Sequence, residues 1–250
     1  MAFDGIVTKA IAGELQTLAG ARIDKIFQPN KNTVLLGFYL DGSNYLLNLC
    51  VDASNYRIHL TTHQKSNPKV APNFCMVLRK HLLGLRIKNV ITNNLERLVI
   101  IDFEGFDEID DIISKRLIVE LMGKHCNIIL LDEQNMIIDS LRHINNEESL
   151  RSIVPHVKYT YPTTNKYNFL ECITFEDFYQ KLSSNLAIYD IFNGISKSFQ
   201  EASMKLLKIQ NLNKETLETL YHYFQKIIAK TDSNLLTFEV IEEKKKDYFL

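Results

Sequence analysis

Residues 117–132, LIVELMGKHCNIILLD, consist of two apolar runs separated by a polar break, Gly123-Lys124-His125-Cys126. Each run is short and rich in Ile, Leu and Val, as buried strands are, and the break carries a glycine that suits a tight turn. The stretch therefore predicts an antiparallel β-hairpin whose turn starts at Gly123. Lys124 and His125 then lie at its tip, where they either display hydrogen-bond donors or only complete the turn.

Strand signals extend from this hairpin in both directions. Within residues 1–165, helical spacing is confined to residues 4–19, with Asp4 as N-cap and Gly20 as stop, and to residues 74–84. Short turns rich in Asn, Asp, Gly and Pro join the remaining segments, which predicts an antiparallel meander. The predicted strands are ARIDKIFQ, TVLLGFYL, YLLNLCV, YRIHLTT, RIKNVITN, ERLVIIDFEG, KRLIVELM, NIILLD and MIIDSLRH. The sequence thus predicts a β-rich α+β domain over residues 1–165.

The pattern becomes helical after residue 172, and we predict a small helical domain over residues 166–232. Its centre, IYDIFNGISKSF, resembles a helix-hairpin-helix, whose glycine tip can hold a phosphate at the start of the next helix. One such hairpin is a weak signal, and a plain packing contact between two helices is the favoured interpretation. Residues 233–250 predict a strand that returns toward the first domain, followed by the start of a further segment.

Composition places the chain among ordinary globular proteins, with 46% hydrophobic and 24% charged residues in a length of 250. The four cysteines form no CxxC pair, and His59 and His63 have no third ligand at a suitable spacing. We therefore expect neither a metal nor an organic cofactor. No export signal and no run of about 18 uncharged apolar residues is present, so we expect a cytoplasmic protein without a membrane span.

Charge is distributed unevenly along the chain. Residues 1–100 carry 12 Lys and Arg against 6 Asp and Glu, whereas residues 101–150 carry 4 against 12. Residues 53–95 contain no acid at all. Their cations are Arg57, Lys65, Lys69, Arg79, Lys80, Arg86 and Lys88. This acid-free segment predicts either a polyanion-binding surface or a solvated face whose cations pair with the acids of residues 104–111.

Several motifs resemble the N-terminal half of the NFACT family. They are FDGIVTKAIAGEL, GARIDKIFQP, APNFCMVLRKHLLGLRI, LERLVII and LIVELMGKHCNIILLD, in the family's order and spacing over most of residues 1–165. The resemblance implies an N-terminal domain with the fold of the Fpg/Nei DNA glycosylases, followed by a helix-hairpin-helix module. It also implies that a coiled coil and a second conserved domain lie outside these 250 residues.

For function, the resemblance implies a factor that binds tRNA, alanyl-tRNA in bacteria, and a large ribosomal subunit blocked by peptidyl-tRNA. Such a factor promotes template-free tailing of the stalled chain. The family's acid near the N-terminus corresponds to Asp4, and its Asp-Arg pair corresponds to Glu96-Arg97, where Glu keeps the charge but is one methylene longer. The family's frequent GRHSNIIL reads GKHCNIIL here, so a point charge at Lys124 replaces the planar fork of Arg.

The residues that we predict to bind tRNA combine the positions implied by the family with the basic segment. They are Asp4, Arg22, Arg79, Lys80, His81, Glu96, Arg97, Lys124 and His125. Among Arg79, Lys80 and His81, we expect at least one side chain to pack against the core and the others to face solvent or ligand. For Arg22, Lys25 and Arg97, ordinary salt bridges are the alternative.

Two other functions are alternatives to tRNA binding. A glycosylase would need an N-terminal proline amine for its Schiff base, whereas this chain reads Ala2-Phe3-Asp4 after Met1. We therefore expect no such enzyme. A cell-surface protein that binds fibronectin or fibrinogen, which the family's historical name suggests, would need export, and it stays the alternative.

Overall fold

The fold is described from a computed structural model that covers residues 3–107, 109–145, 151–182, 187–232, 239–242 and 246–249. Its largest element is a nine-stranded antiparallel sheet in the order β4-β3-β2-β1-β5-β6-β7-β8-β9. The strands are β1 (Arg22–Asn30), β2 (Thr33–Leu40), β3 (Ser43–Cys50), β4 (Arg57–Leu60), β5 (Arg86–Ile91), β6 (Leu98–Phe106), β7 (Ile112–Glu120), β8 (Asn127–Leu131) and β9 (Ile137–Ser140). The predicted antiparallel meander within an α+β fold is confirmed, and the likeness to the Fpg/Nei fold stays a prediction.

The hairpin predicted from residues 117–132 is formed by β7 and β8. Glu120 pairs with Asn127 at the end of the ladder, and a 3₁₀ turn over Gly123–His125 joins the two strands. Gly123 has a φ of +61°, in the left-handed region that glycine enters without a steric penalty. The role assigned to Gly123 as the start of the turn is confirmed.

The helices are α1 (Gly5–Leu15), α2 (Asn73–Leu82), α3 (Phe175–Lys181), α4 (Ile188–Ile191), α5 (Lys197–Leu206) and α6 (Lys214–Asp232). A short parallel pair joins β10 (Tyr167–Asn168) to β11 (Phe192–Asn193). Strand β12 (Glu239–Glu242) pairs with β13 (Lys246–Phe249), so its described partner lies within the segment 233–250 itself. The residues at which we predicted that strand to begin lie outside the described part of the chain.

Contacts divide the chain into two compact units. The sheet unit contains residues 15–91 and 98–162, and the helical unit contains residues 1–14, 92–97 and 163–250. The division at residue 162 lies close to the predicted limit of 165. The predicted domains were continuous, however, whereas contacts assign residues 1–14 and 92–97 to the unit that is completed by the C-terminal third.

The helical unit is built around clustered aromatic rings. Phe178 and Phe192 stack with ring centroids 5.0 Å apart, and Phe169 packs edge-on against Phe192 at 5.8 Å. Ile6 and Leu95 are completely buried in the same core, although they come from distant parts of the sequence. Since a fully buried Leu or Ile side chain contributes about 1.5–3 kcal/mol, these two residues anchor α1 and the turn at residues 92–97 within the unit.

Candidate functional site

Asp4 caps α1 and is buried. Its Oδ1 accepts a hydrogen bond from the Val7 backbone N–H at 3.0 Å, and its Oδ2 accepts one from the Ser196 hydroxyl at 2.7 Å. The first bond satisfies one of the free N–H groups at the helix start, as an N-cap does. The predicted capping role is confirmed, and the second bond joins the N-terminal helix to the start of α5.

Burial raises the pKa of Asp4 to about 6. The hydrogen bond from the Val7 backbone opposes this shift most strongly, followed by the bond from Ser196, the Ile6 backbone N–H and the positive charge of Arg97. The effect of desolvation on the pKa exceeds that of the hydrogen bonds and of Arg97, because the carboxyl group has lost almost all of its water. Asp4 is thus placed to fix local structure, and its charge is sensitive to the neighbouring guanidinium.

Glu96 and Arg97 lie on the turn formed by residues 92–97. The turn is closed by the Glu96 backbone N–H, which donates to the Asn93 carbonyl at 3.0 Å, and Asn94 has a φ of +53°. The Glu96 side chain accepts a hydrogen bond from Asn93 Nδ2 at 3.2 Å. Because Leu95 is buried while Arg97 is exposed, the turn holds its apolar side chain inward and presents a cation outward.

The tip of the helix-hairpin-helix-like segment packs against α1 and against the turn at residues 92–97. Gly194 is buried, its carbonyl accepts a hydrogen bond from the Gly5 backbone N–H at 3.2 Å, and its φ is +85°. A Cβ atom at Gly194 would overlap Leu95. The tip is therefore a packing contact that holds α1 and the turn at residues 92–97, which is the interpretation that the sequence favoured over a phosphate site.

Sequence reasoning missed Ser196 as a partner of Asp4, and it missed Gly194 and Leu95 as neighbours of Gly5. The glycine between α4 and α5 is a signal for a packing contact, but it does not identify the segments that the tip contacts. A hydrogen bond across 192 positions leaves no periodic trace in one sequence.

Arg22 and Arg79 in the sheet unit have partners of their own. Arg22 Nε pairs with Asp24 Oδ1 at 2.9 Å, so the alternative of an ordinary salt bridge holds for this residue. Arg79 Nε donates to the Ile26 carbonyl at 2.9 Å and thereby ties α2 to β1. The expectation that one of the three adjacent cationic residues packs inward is confirmed for Arg79.

Lys80 and His81 differ in their protonation chemistry. Lys80 is exposed, whereas His81 is half-buried, and burial lowers its pKa, with help from the charges of Lys80 and Lys115. His81 is therefore neutral near pH 7 and can donate one hydrogen bond and accept another, but it adds no positive charge. The cation of this pair is Lys80.

Lys124 and His125 are exposed on the 3₁₀ turn between β7 and β8, as predicted.

A buried acid that the sequence did not single out lies at the end of β7. Glu120 Oε1 accepts hydrogen bonds from the Tyr159 hydroxyl at 2.7 Å and from Arg151 Nη2. Burial raises the pKa of Glu120, and the charge of Arg151 opposes that shift first. This group fixes the segment around residues 151–159 to the sheet.

The acid-free segment contains both paired and unpaired cations. Lys88 Nζ lies 3.0 Å from Glu104 Oε2, and Arg86 Nη1 donates to the Gly20 carbonyl at 2.8 Å. Within the described part of the chain, no ion pair involves Lys65, Lys69 or Lys80, and all three are exposed. The solvated-face interpretation thus holds for Lys88. Lys65, Lys69 and Lys80 are available to bind a polyanion.

Among the described residues, no three His, Cys, Asp or Glu side chains come together in a way that could hold a metal ion. None of the described helices combines the length and the apolar character needed to cross a membrane.

Comparisons with known proteins place this architecture among relatives. The family model for the NFACT N-terminal and middle domains matches residues 4–250. The Bacillus subtilis protein named Rqc2 homolog RqcH is 35% identical over 220 residues, which are 84% of this chain and 38% of that relative. The chain therefore spans about two fifths of the length of this curated relative.

Two solved structures show the same fold over nearly the whole chain. The fibrinogen binding protein from Staphylococcus aureus has a TM-score of 0.85 at 29% identity, covering 100% of this chain and 90% of that chain. The N-terminal part of the fibronectin/fibrinogen-binding protein from Streptococcus suis has a TM-score of 0.74 at 29% identity, covering 99% and 89%.

Proposed function

Because this chain belongs to the NFACT family, whose N-terminal and middle domains it carries, we propose that it is the RNA-binding part of a factor for ribosome-associated quality control. It binds tRNA, with alanyl-tRNA as the first candidate, and the large ribosomal subunit obstructed by peptidyl-tRNA. It promotes alanine tailing of the stalled nascent chain in the cytoplasm. The observation that carries this proposal is the 35% identity to a protein named Rqc2 homolog RqcH over 84% of the chain.

The turn at residues 92–97 supports a role for Arg97 in contact with RNA. A guanidinium on an ordered turn loses less conformational freedom on binding than one on a loose loop, and its planar fork matches a phosphate. Leu95 and the Asn93–Glu96 hydrogen bond supply that order. Asp4 affects RNA binding indirectly, because it fixes the start of α1 and of α5 and does not face solvent.

Exposed cations in the sheet unit support a second set of phosphate contacts. Lys65, Lys69 and Lys80 provide point charges on the acid-free segment, and Lys124 and His125 provide donors on the β7–β8 turn. Contacts of this kind position an RNA without reading its sequence. The proposed activity is binding, and we propose no glycosylase-type catalysis.

The test is a filter-binding titration of alanyl-tRNA at several salt concentrations. Arg97→Ala should weaken binding and lower the slope of log K against log salt by roughly 0.7 to 0.9, because one phosphate contact no longer releases a counterion. Lys214→Ala, an exposed cation that lies 3.9 Å from Glu176, is the matched control and should leave both quantities unchanged. Thermal melts confirm folding. Equal affinity and slope for folded Arg97→Ala and the unmodified protein would refute the assignment of Arg97.

A second candidate function comes from the names of the two solved structures, which refer to fibrinogen and fibronectin. Binding of the purified protein to immobilised fibronectin and fibrinogen tests this alternative directly. Saturable binding to either, together with no measurable affinity for tRNA at low salt, would favour the alternative over the RNA-binding proposal.

A further inference from the structure

The hairpin formed by β6 and β7 ends in three exposed apolar side chains. Phe106, Ile109 and Ile112 are exposed to 68%, 77% and 77%, and Phe106 pairs directly with Ile112 across the two strands. Directly opposed residues of an antiparallel pair project from the same face, so these two side chains form one apolar surface. We call residues 106, 107 and 109–112 the acidic tip.

The backbone of the acidic tip is held in place by Asp107. Its Oδ1 accepts hydrogen bonds from the backbone N–H groups of Ile109 and Asp111, both at 2.9 Å. The Asp107 N–H donates to the Asp111 carbonyl at 3.0 Å, and Asp110 adopts a φ of +62°. The apolar side chains are therefore presented by an ordered turn, which reduces the entropy lost when a partner covers them.

Charge decides which class of partner fits this surface. Residues 106–112 contain four Asp and Glu and no Lys or Arg, and Asp110 and Asp111 are exposed at the tip. Asp102 and Glu104, nearer the sheet, are paired with Arg116 and Lys88 and add little to this charge. Such a field repels RNA phosphates and attracts cationic protein surfaces. Ordered apolar side chains surrounded by carboxylates match an apolar pocket that is edged by Lys or Arg.

We propose that the acidic tip docks into an apolar pocket edged by Lys or Arg on a protein of the large ribosomal subunit. The choice of partner rests on the proposed function, since proteins that bind ribosomal RNA need cationic surfaces. The acidic tip thus contacts protein, while the exposed cations of the acid-free segment contact RNA.

Photocrosslinking tests the class of partner. A photoreactive amino acid replaces Ile109 in the full-length gene product, which is then mixed with purified large subunits carrying peptidyl-tRNA. We expect an adduct with a basic ribosomal protein, and this adduct should be lost when Asp111→Lys is added. An adduct only with ribosomal RNA, with tRNA or with a second copy of the chain would overturn the proposal.

Affinity for the same subunits tests the contribution of the side chains. Ile109→Ser and Ile112→Ser should each weaken binding about tenfold or more if the tip is a central contact. Ile173→Ser is the control, because Ile173 is 83% exposed and belongs to the helical unit. Asp111→Lys should also weaken binding, whereas a gain in affinity would indicate an RNA partner. Asp110→Asn serves as the milder charge variant, since Asn tolerates the positive φ of Asp110.

The outcomes separate this inference from the proposed function. The tip variants should bind alanyl-tRNA as the unmodified protein does. If the unmodified protein does not bind the subunits, both the proposed function and the choice of partner are wrong. If it binds them and the tip variants bind equally well, only the assignment of the acidic tip is overturned.

Discussion

At the scale of single residues, Asp4 shows how a residue identified through a family motif can act from the interior. Its carboxylate accepts hydrogen bonds from Val7 and Ser196, and burial raises its pKa to about 6. A substitution at Asp4 that lowers tRNA affinity would therefore act through the placement of α1 and α5. The carboxylate itself is not exposed to RNA.

The raised pKa of Asp4 predicts a dependence of stability on pH. The folded state binds the proton more tightly than the unfolded state, whose pKa is 3.8, so this group favours folding most at low pH. Its contribution should decline as the pH rises from about 4 to about 6 and stay constant above that. Asp4→Asn keeps a good N-cap without an ionisable group. The difference in unfolding free energy between the two proteins should change over that window, and a constant difference would contradict the raised pKa.

Arg79 is predicted to stabilise the fold rather than to contact RNA. Arg79→Ala removes the stronger of the two donors to the Ile26 carbonyl and leaves only the Cys75 thiol at 3.7 Å, which should lower the unfolding free energy by about 1–2 kcal/mol. Lys80→Ala, the adjacent exposed cation, should change it by less than about 0.5 kcal/mol. Urea denaturation measures both changes. Equal effects of the two substitutions would show that the Arg79 bond to β1 adds nothing to stability.

The ion pair between half-buried Arg151 and buried Glu120 provides a further test. Arg151→Met leaves Glu120 buried without its cation and should lower the unfolding free energy by about 3 kcal/mol. Adding Glu120→Gln should restore part of that loss, because the remaining buried group is then neutral. The double variant is compared with both single variants by urea denaturation. Strictly additive losses would argue against a coupled ion pair.

At the scale of elements, the tip between α4 and α5 is a close contact between backbones. Gly194→Ala adds a methyl group that overlaps Leu95, at a φ of +85°. Gly42→Ala is the matched control, because Gly42 has a φ of +79° and no atom lies within 4 Å of its missing Cβ. We expect a loss of about 1 kcal/mol for Gly42→Ala from backbone strain alone. Gly194→Ala should cost at least twice as much in thermal or urea unfolding, and similar losses would mean that the tip is loosely packed.

The elements themselves could largely be predicted from the sequence. All nine strands of the large sheet coincide with segments that alternate or run apolar between turn residues, because strand spacing and turn chemistry are local signals. The interior positions of Asp4 and Gly194 could not be predicted in this way. They depend on contacts between segments far apart in sequence, and an exposed and a buried glycine look alike in one chain.

At the scale of the whole molecule, the uneven charge separates two kinds of surface. The double variant Lys65→Ala/Lys69→Ala should lower both the affinity for tRNA and its salt slope, by roughly 0.7 to 0.9 for each lost contact. Lys88→Ala should change neither, because Glu104 already neutralises Lys88. Titrations at several salt concentrations distinguish the two variants. If Lys88→Ala lowers the slope as much as the loss of one of the other lysines, net charge rather than specific placement governs binding.

The division of the helical unit among three stretches of chain has a consequence for synthesis. The N-terminal stretch emerges first, but Ser196 and most of the aromatic core follow more than 150 residues later. At roughly 5–20 residues per second, that interval lasts on the order of ten to forty seconds. Throughout it, the first helix has been translated but cannot complete its packing, so its apolar face is open to chaperones. A nascent chain released after residue 165 would retain this unfinished surface, because Ile6 and Leu95 would lack most of the core that buries them.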